Sequence, residues 1–205
     1  MDDVEITDEM PITEDLVLYA HWRYTGGAHV KPEEAEKQPA TPTEVNFTDV
    51  QPSDWYADAV SNVAEQGLMT GVAEGVFAPN GFVTRAMVWT VLARLDGVNT
   101  EGDSTWYAKA QAWAMETGVS DGSDAMGTIT REQLAAMLYR AAGRPAVAGD
   151  LSAYPDAASV SDWAKDAMVW ATETGLINGM NGSLKPQDGA TRAQLAAMLL
   201  RFLDA

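Results

Sequence analysis

Between Phe47 and the C-terminus, apolar residues recur at helical spacing in six short stretches that come in pairs. After Trp55, positions 1, 4, 5 and 8 are Tyr56, Ala59, Val60 and Val63, one face of a 3.6-residue period. In the stretches after Trp106 and Trp163 the same positions are mostly apolar. Twelve residues beyond each Trp stands a glycine, Gly67, Gly118 or Gly175, where a left-handed C-terminal cap is wanted. The second stretch of each pair begins at Thr84-Arg85, Thr130-Arg131 or Thr191-Arg192. Its apolar face is Val88, Val91, Leu92 and Leu95, then Leu134, Met137, Leu138 and Ala141, then Leu195, Met198, Leu199 and Phe202. Each Thr suits an N-cap. Thr130-x-x-Gln133 and Thr191-x-x-Gln194 match a capping box, which Thr84-x-x-Met87 does not. The pattern predicts an all-α region of three helix-loop-helix units.

The units repeat beyond their apolar faces. A second glycine follows the first by four residues (Gly71, Gly122, Gly179), and a second arginine follows the first by nine (Arg94, Arg140, Arg201). A helix pair of this size cannot bury its own apolar face, so three copies are expected to stack on one another. The units span 47–98, 99–149 and 150–205. Unit two is shortened: 13 residues separate Gly118 from Arg131, against 18 and 17 in the others. Upstream, residues 1–24 contain the strand-like run Leu16-Val17-Leu18-Tyr19-Ala20, and residues 25–46 are rich in Pro and Glu without apolar period. These read as a β remnant, unstable alone, and a solvated linker.

Charge narrows the functions. The chain has 13 Lys and Arg against 30 Asp and Glu, a net charge of −17. Nucleic acid and anionic lipid surfaces would be repelled. No apolar run is long enough to cross a membrane as a helix. With no cysteine, disulfides, thiol chemistry and Cys-type zinc sites are excluded. Both histidines, His21 and His29, precede the repeats, so no His-based triad or zinc site is expected within them. Asp121-Gly122-Ser123-Asp124, with Glu132 at the twelfth position, has the outline of a calcium loop. Met126 stands where that loop needs glycine. Neither a metal nor a cofactor is expected, and no acid recurs at an equivalent cleft position, so no enzyme activity is expected either.

Taken together, these residues resemble the S-layer homology (SLH) module of bacterial surface proteins. The resemblance covers 47–205. It rests on the openings Phe47-Thr48-Asp49 and Tyr154-Pro155-Asp156, the Trp at the start of each first helix and the Gly-Leu-x-x-Gly turn. It rests also on Gly75-Val76-Phe77-Ala78-Pro79, on Gly182-Ser183-Leu184-Lys185-Pro186, and on the Thr-Arg helix starts. The family's Thr-Arg-Ala-Glu is altered in every unit, and unit two lacks the Gly-x-Phe-x-Pro segment. The resemblance implies a pseudo-threefold spindle whose first helices meet at the axis. It implies grooves between units that bind secondary cell-wall polysaccharide, often through a pyruvylated amino sugar. The chain would then be an extracellular cell-wall anchor. Residues 10–22 look like the closing strand of a small β-repeat of bacterial adhesins. The chain is therefore expected to be a C-terminal fragment without its signal peptide.

The candidate site follows from both readings. Arg85, Arg131 and Arg192 place a cation at a helix N-terminus, against the macrodipole, three times in an acidic chain. Beside free helix N–H groups such an arginine makes a carboxylate pocket. Alternatively it pairs with an acid of a neighbouring unit. Trp55, Trp106 and Trp163 read either as core anchors or as platforms for sugar rings. The turn glycines Gly71, Gly122 and Gly179 and the N-caps Thr84, Thr130 and Thr191 complete the set. Arg192 is expected to contribute most and Arg131 least, because unit two is short. The competing function is an all-α protein-interaction module making lateral surface contacts.

Overall fold

The computed structural model describes residues 46–204. The β remnant and all but the last residue of the linker lie outside them. The six expected helices are present: α1 (Ala57–Glu65), α2 (Arg85–Leu95), α3 (Ala108–Glu116), α4 (Arg131–Ala141), α5 (Lys165–Glu173) and α6 (Arg192–Leu203). Two 3₁₀ turns, Ala157–Ser159 and Asp162–Ala164, lead into α5. Among the described residues, extended pairing is limited to isolated bridges.

The local signals act as predicted. Gly67, Gly118 and Gly175 take φ of 68°, 70° and 73°, the left-handed geometry that ends α1, α3 and α5. The side chains of Thr84, Thr130 and Thr191 accept from the backbone N–H three residues on. The reciprocal capping box forms at α4 and α6, where the third residue is Gln. The second helices bury the positions read from sequence, apart from Ala141, which is exposed, and Leu95 and Phe202, which are half-buried. Ala141 ends α4, beyond the stretch that packs.

Helix packing runs between units. α3 packs on α2, α5 on α4, and α1 on α6, so each first helix lies against the second helix of the preceding unit and the series closes on itself. The three units close as expected, but the first helices do not meet one another at the axis. The helix pairs join a first helix to a second helix, and the inner positions belong mainly to α2, α4 and α6. Seven residues are buried on each of these, against three on α1, two on α3 and five on α5.

A backbone ring holds the centre. Val83 N–H donates to Ala190 O, Ala190 N–H to Ile129 O, and Ile129 N–H to Val83 O, each at 2.9 Å. One residue from each unit thus donates to one neighbour and accepts from the other. The first amides of the second helices extend the pattern outward. Arg85 and Ala86 donate to Gly127 and Ala125, Arg131 and Glu132 to Asp188 and Pro186, and Arg192 and Ala193 to Gly81 and Pro79. Helix starts that would otherwise need capping by water are satisfied by the next unit's loop.

Candidate functional site

The three helix-start arginines follow one plan in which each reaches into the next unit. Arg85 Nε donates to Ser123 O at 2.8 Å, Arg131 Nε to Leu184 O at 2.9 Å, and Arg192 Nε to Phe77 O at 2.7 Å. The shared role is a latch between units. Two expectations fall here. The backbone amides beside each arginine already donate to the neighbouring loop, so they are not available to a ligand. The loop that Arg131 meets is the complete loop of unit three, while the short loop of unit two faces Arg85. The expected order, with Arg131 weakest, therefore has no structural basis.

Beyond Nε the three differ. Arg192 gives Nη2 to Thr70 O at 2.6 Å and lies 4.5 Å from the centre of the Phe77 ring. Arg85 gives Nη2 to Ser120 Oγ at 3.0 Å and to Asp121 Oδ1 at 2.6 Å, the inter-unit ion pair weighed as the alternative. Arg131 is 5% exposed and has no acceptor for its Nη groups among the described residues. Burial pushes the Arg131 and Arg192 guanidinium groups down from their ordinary value, opposed by Asp188 and Asp156 in one case and Asp49 in the other. Arginine stays charged under any such shift.

Among the described residues, cavities lie beside two of these arginines. The larger, about 330 Å³, brings together Arg131 of unit two, Gly179, Asn178 and Gln194 of unit three, and Trp55 of unit one. The smaller, about 220 Å³, brings together Arg85 of unit one, Asp121 and Gln133 of unit two, and Trp163 of unit three. Each groove therefore takes its arginine, turn and tryptophan from three different units, which spacing within one unit does not reveal. The tryptophans are not core anchors: Trp55, Trp106 and Trp163 are 66%, 48% and 56% exposed. They stand at the turn before each first helix, and Trp55 and Trp106 meet the next tyrosine edge-on at 5.2 Å. Trp106 lines neither cavity.

The turn glycines serve packing as much as access. A Cβ on Gly71 would stand 2.8 Å from the carbonyl oxygens of Ala73 and Val76, and one on Gly122 would meet Met115 Sδ at 2.5 Å. Gly179 also lines the larger cavity. The later arginines act within units: Arg94, Arg140 and Arg201 donate to the carbonyls of Leu68, Val119 and Leu176, just past each helix-ending glycine. Gln133 and Gln194 were readable only as caps. Their Oε1 atoms fill that role, and the side chains also line the cavities.

Acids brace the loops. Asp49 accepts from the amides of Phe77 and Ala78, and Asp156 from those of Leu184 and Lys185. Burial alone would raise these carboxyls, but the amides and the nearby Arg192 or Arg131 outweigh it and hold both below the usual carboxylate range. Unit two has no such opening acid. There Glu132, 2% exposed, accepts from Ser161 N–H, Ser161 Oγ and Gln187 Nε2 of unit three. Its oxygens thus face unit three, away from Asp121, which turns to Arg85. A carboxyl whose pKa is lowered on folding stabilises the fold above its unfolded value of about 3.8 and stops doing so as pH falls through the folded value. Melting temperature should therefore drop as pH falls below about 4, and the drop should be shallower in Asp156→Asn. Equal slopes would remove the loop brace from the account.

Sequence profiles match the S-layer homology domain at residues 46–86 and 153–196. Those two stretches are S-layer homology domains. The middle pair, α3–α4, lies between the two matched regions yet occupies the third place in the ring. Similar proteins include an amylopullulanase of Thermoanaerobacterium thermosulfurigenes, 29% identical over 77% of this chain and 9% of that protein. The surface-layer 125 kDa protein of Lysinibacillus sphaericus is 30% identical over 74% of this chain and 14% of its own length. Exoglucanase XynX of Acetivibrio thermocellus is 27% identical over 78% and 16%. The chain thus spans less than a fifth of the length of these relatives. S-layer homology domains associate with the cell wall, which links the chain to the cell surface.

Proposed function

We propose that the chain is a non-catalytic anchor that holds an exported protein to the wall by binding secondary cell-wall polysaccharide through a pyruvate ketal or a similar sugar carboxylate. The middle helix pair is read as a third, shortened domain that completes the grooves. The observation that carries the proposal is the larger cavity. Its lining offers a buried cation with uncommitted donors, an exposed indole, and the amide side chains of Asn178, Asn181 and Gln194. Its volume lies at the small end of the roughly 300–1,000 Å³ typical of ligand pockets, the scale of one or two sugar rings. Support for a non-catalytic role comes from the relatives. The same stretch recurs in proteins named for two different glycan-degrading activities and in a surface-layer protein.

Titration with extracted wall polysaccharide tests the reading. Arg131→Ala should weaken binding by about 10- to 150-fold, the value of a charge-assisted bond of roughly 1.5–3 kcal/mol. Arg131→Lys should restore little, because an ammonium lacks the planar fork. Unchanged affinity in a folded Arg131→Ala protein would favour the protein-interaction reading instead.

A further inference from the structure

The three helix-start arginines follow one plan but are not equally free, and the difference is visible in the partners of their Nη groups. At Arg85 the Nη2 donor is taken by a carboxylate of the chain itself, with Asp121 Oδ1 2.6 Å away. That carboxylate also accepts from Ser123 N–H at 3.0 Å, so it is fixed by its own turn as well as by the arginine. At Arg192 the same Nη2 is taken by a backbone carbonyl, Thr70 O. The lining there also changes: Met87 and Thr90 stand at the α2 positions that hold Gln133 and Ala136 in α4, and Gln194 and Ala197 in α6. At Arg131 nothing among the described residues takes the Nη donors, and that groove has the largest cavity of the two beside these arginines.

We infer that the groove at Arg131 is the open carboxylate site of the described domain, and that Asp121 closes the equivalent groove at Arg85 as a built-in substitute for the ligand's carboxylate. The inference rests on the wall-binding reading and sharpens it. A bidentate guanidinium accepts one carboxylate on its Nη face, and a side chain already held there at full charge competes as an intramolecular ligand. Asp121 is well placed to persist there. The Ser123 amide and hydroxyl, opposed by slight burial and aided by Arg85, hold its carboxyl below the usual carboxylate range, so it stays ionised at neutral pH. The closure is therefore chemical, and the Asp121 carboxylate is its charged part; Ser120 Oγ, 3.0 Å from the same Nη2, is a neutral acceptor. The smaller cavity at Arg85 still presents Gln133 and the exposed Trp163, the counterparts of Gln194 and Trp55. Removing the Asp121 carboxylate should thus create a second site out of parts already present.

The two grooves can be read separately, because each has its own tryptophan. The probe is a methyl N-acetylhexosaminide carrying a pyruvate ketal, with the ketal-free glycoside as control. Proton–nitrogen correlation spectra of residues 46–204 as part of the full chain would follow the indole N–H signals, assigned by single Trp→Phe variants. In the wild-type protein the ketal probe should move the Trp55 signal and leave that of Trp163 in place. In Asp121→Ala both should move, and Asp121→Ser, which keeps an acceptor for the Ser123 amide, should behave alike. In Arg131→Ala the Trp55 response should vanish. Movement of Trp163 in the wild type, or a still Trp163 in both Asp121 variants with dispersed, folded spectra, would overturn this inference while leaving wall binding intact. No response of either signal in any variant, to probe or to extracted polysaccharide, would overturn the wall-binding reading and this inference with it.

Discussion

Removing residues 150–205 should abolish cooperative folding of the remaining helices. The loss follows from the closure of the ring. Without the last unit, α1 loses α6 and α4 loses α5, and the central hydrogen bonds through Ala190 disappear. The buried faces of α1 (Ala59, Val60, Val63) and α4 (Leu134, Met137, Leu138) then lose the helices they pack on. At roughly 1.5–3 kcal/mol for each large apolar side chain returned to water, the cost matches the whole stability of a typical domain, about 5–15 kcal/mol. Thermal melts of the truncated chain by circular dichroism should show a shallow, non-cooperative loss of helix. A sharp transition near the full-length melting temperature would mean that two units suffice and the closed ring is wrong.

Arg192→Ala should cost stability where the sequence alone suggested only a loss of binding. The side chain is 7% exposed and joins the last unit to the first through Phe77 O, Thr70 O and the Phe77 ring. Two bonds from a charged donor are lost, at about 1.5–3 kcal/mol each, partly offset because a buried charge no longer has to be desolvated. The expected net loss is about 2–4 kcal/mol, a fall in melting temperature of roughly 5–15 °C for a domain of this size. Arg131→Ala removes one such bond and should cost less. Denaturant midpoints of the two variants decide the matter, and an Arg192→Ala midpoint within error of the wild type would show that the latch contributes little.

The helices were legible because their signals are local. Thr N-caps, the helix-ending glycines and the 3.6-residue apolar period each act within a few residues, and each produced the element it predicted. The direction of closure was not legible. That Arg131 meets the loop of unit three, and that Trp55 faces it from unit one, depends on how the units turn about the axis. No spacing within a unit encodes that turn. The tryptophans illustrate the other limit. A large aromatic at the start of a helix suits burial and exposure equally well, and what decided the outcome was the preceding turn that carries it outward. The reading of free helix amides failed for a related reason: the amides of Arg85, Arg131 and Arg192 were taken by carbonyls from loops 40 to 110 residues away in sequence. Asp121, by contrast, was seen only as part of a calcium-like loop, and its pairing with Arg85 became apparent only with the neighbouring unit in place.

The central claim, that this chain binds the wall through its polysaccharide, is tested most directly by sedimentation with purified cell-wall sacculi before and after chemical stripping of that polysaccharide. The account predicts that the protein pellets with intact sacculi, stays in solution with stripped ones, and loses most of its binding in the Arg131→Ala variant. Equal pelleting with intact and stripped sacculi would contradict it.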